Sequence, residues 1–185
     1  MGSSTGAHSG PTDPALVAEI PPPRNVQFRF SGGLDFQSLA LAPDGHAVAF
    51  GGLDDRGKIM LWVRPLDAAE AHPLLGTEGA GNLFWSPDSR TIGFFAEGKL
   101  KTIDASGGPT VVLTDAPYDL GGSWRQDGTI LFSDSVKGLY RLTVGGKTPA
   151  MVVEADGSKF VFAPARIFYP TDATSFTSLA VTILR

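Results

Sequence analysis

A chain of 185 residues, 42% apolar and 18% charged, is long enough for one domain with a real core and too apolar for disorder. Its net charge of −4 argues against a general nucleic-acid surface, which neutralises phosphates with clustered Lys and Arg. With no cysteine there is no disulfide, no thiolate metal site and no cysteine nucleophile.

Residues 1–15 read as a flexible Ser/Gly-rich leader without the basic start and apolar stretch of a secretory signal. No run of about 18 apolar residues follows, the length a membrane helix needs, so the product as written is expected in the cytosol. Gly2-Ser3-Ser4-Thr5-Gly6 matches the nucleophile-elbow pattern, but that motif requires a strand before it and a helix after it. Ser4 is therefore not read as catalytic. Leu16 to Ile20 is a short strand stopped by Pro21-Pro22-Pro23. In Val26 to Phe30, Val26, Phe28 and Phe30 alternate with Gln27 and Arg29, the period of a half-buried strand.

From here one short turn recurs: Leu41-Ala42-Pro43-Asp44-Gly45, Trp85-Ser86-Pro87-Asp88-Ser89 and Trp124-Arg125-Gln126-Asp127-Gly128. Its aspartates are spaced by 44 and then 39 residues, and self-similarity at about 40 residues marks a repeat architecture. Proline pre-sets the turn, Asp accepts bonds from nearby amides and Gly tolerates the left-handed region. The first repeat has strands at Ser38–Leu41, His46–Phe50 and Ile59–Val63, with a poor fourth at Ala71–Leu75, where Pro73 is tolerable only at an edge. The second has Asn82–Trp85, Thr91–Phe95, Lys99–Ile103 and Thr110–Leu113; the third has Gly122–Trp124, Thr129–Phe132, Leu139–Leu142 and Ala150–Val153. Gly107-Gly108 and Gly145-Gly146 mark equivalent turns.

Four short antiparallel strands per repeat make a propeller blade. The expectation is all-β: a partial β-propeller spanning 16–156, with blades at about 37–76, 82–114 and 121–154. Trp85, Trp124, Phe50, Phe94 and Phe132 are expected to pack between blades.

At these residues the chain resembles the WD-repeat-like propellers of the TolB type, and within them the C-terminal sensor propellers of bacterial transmembrane serine/threonine protein kinases. Leu61-Trp62-Val63-Arg64-Pro65-Leu66-Asp67, Phe84-Trp85-Ser86-Pro87-Asp88-Ser89 and Ile92 through Leu100 carry the likeness, which covers roughly Glu19 to Val153. No kinase motif is present in the sequence. The resemblance implies a sensing or scaffolding module from an extracytoplasmic domain, without kinase activity of its own. Alternatives are the gating propeller of a prolyl-oligopeptidase-type serine peptidase and a TolB-like periplasmic scaffold.

The reading assigns no catalytic, cofactor-binding or metal residue. His8, His46 and His72 lack the spacing of a metal pair. Asp54 and Asp55 read as a solvated turn, and Lys99 and Lys101 as guards against edge pairing on an outer strand. Propellers bind through loops at one end of the channel, here Ser31–Phe36, Thr77–Gly81 and Pro117–Gly121. Within these Glu78, Tyr118 and Asp119 are the residues to test, for a protein or small ligand and not a nucleic acid.

Three blades do not close a ring, since propellers take about four to eight, so the fragment is expected to need further blades or self-association. The tail 157–185 contains none of the 23 glycines after Gly157 itself. It also supplies no blade turn near position 170, where the next is due. Permissible codons for Arg166 to Ser178, read one base earlier, spell Asp-Phe-Leu-Pro-Asp-Gly-Arg-His-Phe-Ile-Tyr-Phe, which predicts a reading-frame shift between about Gly157 and Ala165.

Overall fold

The structure is a computed structural model that describes residues 21–28, 39–146 and 148–154. All described strands belong to the unit Pro22–Phe168, one of two into which the chain divides. The strand expected at Leu16–Ile20, residues 29 and 30 of the next one, the loop at Ser31–Phe36 and the tail after residue 156 lie outside the described residues.

Among the described residues thirteen strands form three antiparallel sheets, and no helix occurs. Blade 1 contains β1 (Val26–Phe28), β2 (Leu39–Leu41), β3 (Ala47–Asp54), β4 (Ile59–Pro65) and β5 (His72–Pro73). Both β1 and β2 lie along the same side of β3: Phe28 is opposite Gly52, and Leu39 is opposite Phe50. Together they occupy the place of one first strand, so five strands make a four-stranded blade. Blade 2 is β6 (Gly81–Trp85), β7 (Thr91–Ala96), β8 (Lys99–Asp104) and β9 (Val111–Asp115). Blade 3 is β10 (Asp119–Trp124), β11 (Thr129–Asp134), β12 (Gly138–Thr143) and β13 (Ala150–Glu154).

The first strands of blades 2 and 3 each carry a bulge, between Gly81 and Phe84 and between Asp119 and Gly122. An extra residue there needs an unusual backbone. Asn82 (φ 44°) and Gly121 (φ 117°), each three residues before its blade's tryptophan, supply it.

The recurrent aspartates are turn-makers. Asp44 Oδ1 accepts from His46 N (2.9 Å), Asp88 Oδ1 from Arg90 N (3.2 Å) and Asp127 Oδ1 from Thr129 N (2.9 Å). The following residue is left-handed in every copy: Gly45 (φ 75°), Ser89 (φ 59°) and Gly128 (φ 79°). Ser89 also accepts from the Asp44 amide with its hydroxyl (3.0 Å), tying the turns of blades 1 and 2 together.

The blades meet through their first strands, with β6 against both β2 and β10. Strand alternation gives each blade two faces. One, here called the front, points to the preceding blade; the back points to the following one. The front of blade 2 (Trp85, Ile92, Phe94, Ile103) closes on the back of blade 1 (Ala49, Leu61, Val63) in one buried cluster. The front of blade 3 (Ile130, Phe132, Leu142) closes on the back of blade 2 (Phe84, Phe95, Leu100) in a second. Trp85 and Phe94 are buried between blades as expected, and Trp85 Nε1 donates across to Ala40 O (3.0 Å). Trp124 packs half-buried against the second cluster. Burying such rings contributes roughly 1.5–3 kcal/mol apiece.

Phe84 shows how closely the interface fits. A Cβ on Gly93 would lie 2.4 Å from its ring, and one on Gly122 of the next blade 2.7 Å away. Both glycines have ordinary backbone angles, so close approach, and not turn geometry, requires them. Blade 1 has Ala40 and Ala49 where blade 2 has Phe84 and Gly93.

Candidate functional site

The strand directions place two kinds of connection at one end of the blades: the links that enter β6 and β10, and the hairpins β3–β4, β7–β8 and β11–β12. Backbone bonds join them: Gly79 N to Ile59 O (3.0 Å), Ala116 N to Gly98 O (2.7 Å) and Ser135 N to Tyr118 O (2.8 Å). This entry end holds Glu78, Tyr118 and Asp119, the residues singled out by sequence. The recurrent Asp turns lie at the opposite end.

Glu78 is engaged in holding its link. Its carboxylate accepts from Lys58 Nζ (3.1 Å) in the β3–β4 hairpin. Its own amide, then Lys58, holds its pKa below the ordinary value. Thr77 beside it is fully buried: its hydroxyl accepts from Leu61 N (2.9 Å) and donates to Leu74 O (2.5 Å). Leu74 N bonds Leu61 O directly (2.8 Å), and the hydroxyl bridges the other two groups of that pair, Leu61 N and Leu74 O. Sequence reading missed Thr77, although a threonine two residues after the last apolar residue of a short strand is a signal for such a local bond.

Asp119 accepts from Asn82 Nδ2 (2.8 Å), a bridge between the first strands of blades 2 and 3. Asn82 is buried, and its Oδ1 has no partner. Asn82 was also missed; its place three residues before Trp85, matching Gly121 before Trp124, was the available signal. Tyr118 differs from the other two. Its side chain is solvent-facing (54% exposed), and Val136, from the hairpin bonded to it, is 60% exposed. Asp134 organises that hairpin by accepting from Val136 N and Lys137 N (2.8 and 2.9 Å). The entry end thus presents two exposed groups, Tyr118 and Val136, on connections joined by a backbone hydrogen bond, with Lys137 and Asp119 next to them in sequence.

Lys99 and Lys101 do not guard an outer edge. They lie on β8, paired on both sides by β7 and β9. Lys99 Nζ meets Asp115 (2.6 Å), and the buried Lys101 reaches the Glu97 carboxylate (2.5 Å). Each lysine holds its acid's pKa below the ordinary value, Lys101 for Glu97 and Lys99 for Asp115. Asp54 is a turn residue, its Oδ1 accepting from Arg56 N and Lys58 N (3.0 and 2.7 Å). It borders a shallow hollow with Asn25, Gln27 and Asp55. His72 bonds Ala105 O (3.0 Å) across the blade 1–2 junction, and His46 stands exposed beside Asp44. His8 and Ser4 lie outside the described residues. Among the described residues no three of His, Asp and Glu converge as metal ligands. Nor is any helix there long and apolar enough to cross a membrane.

No protein-family model and no curated protein matches the chain. Solved structures do. A protein assigned as TolB from Agrobacterium tumefaciens superposes with a TM-score of 0.55 at 18% identity, over 64% of this chain and 46% of that one. The propeller domain of the Trilobed protease from Pyrococcus furiosus gives 0.46 at 16% identity, covering 58% and 38%. Oligogalacturonate lyase from Vibrio parahaemolyticus gives 0.48 at 12%, covering 57% and 34%. The chain therefore spans less than half the length of these structures. The TolB likeness shows the fold: a partial β-propeller.

Proposed function

We infer that the chain is a non-catalytic propeller module that docks a protein or small ligand at its entry end, and that its parent is a kinase-associated sensor domain outside the cytoplasm. The observation that carries the first part is the division of labour among the three entry-end residues. Glu78 and Asp119 are consumed in holding links and blades together, whereas Tyr118, with Val136, offers contact area to a partner. An exposed aromatic and an exposed aliphatic group on bonded connections, each followed in sequence by a charged residue, are the composition of a docking anchor. The kinase parentage rests on the resemblance of the blade turns and the stretches around them.

The coding DNA for a few hundred bases on each side tests the parentage. A kinase domain and one membrane helix upstream supports it. A G-x-S-x-G hydrolase domain downstream replaces it with the peptidase reading. Kinase or peptidase turnover by the purified chain would overturn the non-catalytic assignment.

A further inference from the structure

Each blade ends on an outer strand whose far edge pairs with no other described strand: β5, β9 and β13. These edges are guarded unequally. β5 is two residues long and contains Pro73, which cannot donate to a ladder. β13 closes on Glu154, an exposed carboxylate. β9 closes on Asp115, whose charge Lys99 meets, and no charged residue occurs from Ala105 to Thr114. Val111 and Val112, one on each face of β9, are both more than half exposed. The lysines that sequence alone places as guards stand on β8 instead, each paired with an acid. Blade 2 is covered on both faces by its neighbours, so this exposure is a property of its rim.

Backbone alternation fixes which polar groups of β9 face outward. Ala116 N donates to Gly98 O (2.7 Å), so every second residue of β8 from there, Leu100 and Thr102, turns its N–H and C=O toward β9. Thr114 lies opposite Leu100 and Val111 opposite Thr102, with Leu113 the extra residue of a bulge. The N–H and C=O of Val112, opposite Lys101, therefore point away from β8, and by alternation so do those of Thr110. The face that Thr110 and Val112 share is extended by blade 1. A Cβ on Gly76 would lie 3.5 Å from the Thr110 methyl, which brings Leu75, 70% exposed and adjacent to Gly76 in sequence, near that face.

We propose that the outer edge of β9 pairs with the same edge of a second copy of this chain, antiparallel about a two-fold axis. Such an axis sets one residue opposite its own copy. Gly108 (φ 125°) departs from strand geometry and the bulge turns Thr114 inward, so the outward groups of Thr110 and Val112 both find partners only when that residue is Val111. Thr110 of each copy then exchanges two backbone bonds with Val112 of the other, four in all. The two Val111 side chains meet as the close, non-hydrogen-bonded pair, and Leu75 gains the other copy's Val112 as a neighbour. An identical strand fits because its outward groups match under the two-fold and no charge falls within the paired segment. The pairing is short, smaller than the ~1,200 Å² of stable complexes, which makes the dimer transient and concentration-dependent. Neither Tyr118 nor Val136 belongs to the paired segment, so the docking role stands or falls separately.

The test uses the full chain, which has no native cysteine. Sedimentation equilibrium should show a mass that rises with concentration from 19.4 kDa toward twice that value and no further. Val111→Cys is expected to form an intermolecular disulfide under mild oxidation, because a non-hydrogen-bonded pair holds its Cβ atoms about 4.5 Å apart, within disulfide reach. Val112→Cys, offset from its own copy, should form little. Val111→Lys and Val111→Glu should each raise the dissociation constant at least tenfold, since like charges then face each other across the axis. An equimolar mixture of the two should associate again, with Lys opposite Glu. The site is exposed, so the far-UV spectrum and Tm of these variants should stay those of the parent. A monomer at every concentration, oligomers beyond the dimer, a disulfide that forms as readily at Val112 as at Val111, or charge variants that stay apart on mixing would each overturn the proposal.

Discussion

Replacing Gly93 by alanine separates interface sterics from backbone preference, because the two predict opposite signs. Gly93 sits mid-strand in β7 with an ordinary φ. On backbone entropy alone, alanine there is worth roughly 0.5–1 kcal/mol of added stability. The structure says otherwise: the new methyl would lie 2.4, 2.5 and 3.0 Å from three ring carbons of Phe84. The ring cannot swing away freely, since Gly122 of blade 3 closes on its other side, where a Cβ would stand 2.7 Å off. Overpacking of this kind costs about 1–3 kcal/mol, which for a chain of this size lowers Tm by roughly 2–12 °C. Phe84→Ala alone should cost about 3–5 kcal/mol. The double variant, which recreates the Ala40–Ala49 pair of blade 1, should cost less than the sum by about 0.5–3 kcal/mol. Thermal and urea unfolding of the four proteins gives the cycle. A Gly93→Ala protein as stable as the parent, or more so, would refute the wedge between blades 2 and 3.

Other expectations are as direct. Thr77→Val keeps the shape but strips the partner from Leu61 N, a loss of about 1–3 kcal/mol by urea titration; Thr77→Ser should recover most of it. Asp88, Asp104 and Asp127 have pKa values lowered chiefly by the Ser86 hydroxyl, the Ser106 hydroxyl and the Thr129 amide respectively. Depressed carboxylates contribute stability that is present above their unfolded pKa, near 4, and lost as pH falls through the folded values. Tm should therefore hold from pH 7 to about 5 and decline below that, less steeply in Asp127→Asn. Tyr118→Ala, on an exposed ring, should leave stability within about 0.5 kcal/mol. Once a partner is in hand, it should weaken binding at least tenfold, while Glu78→Gln should act on stability first.

Much of the architecture was legible because it is local. An Asp turn with apolar runs on either side dictates a hairpin, and its recurrence at 44 and 39 residues dictates blades. What resisted reading depends on which strands become neighbours. Lys99 and Lys101 look like edge guards in isolation, but their strand is third of four, and only its pairing with β9 shows that. Phe84, Gly93 and Gly122 are unremarkable in sequence; a ring filling the space of two missing methyl groups across a blade junction has no local signature. The same holds for Asp119, whose partner Asn82 lies on another blade, so a site candidate became a structural clasp. Tyr118 was singled out, with Glu78 and Asp119, by its place in a link entering a blade, and its side chain stands exposed there.

The account stands on three consecutive blades turning about one axis, with equivalent connections gathered at each end. Nitroxide labels on cysteines introduced pairwise at Asp44, Asp88 and Asp127, measured by pulsed dipolar spectroscopy on the full chain, test this most directly. The 44–88 and 88–127 distances should be similar and narrowly distributed, with 44–127 clearly longer. A 44–127 distance equal to or shorter than the other two, or three broad distributions, would contradict the propeller arrangement.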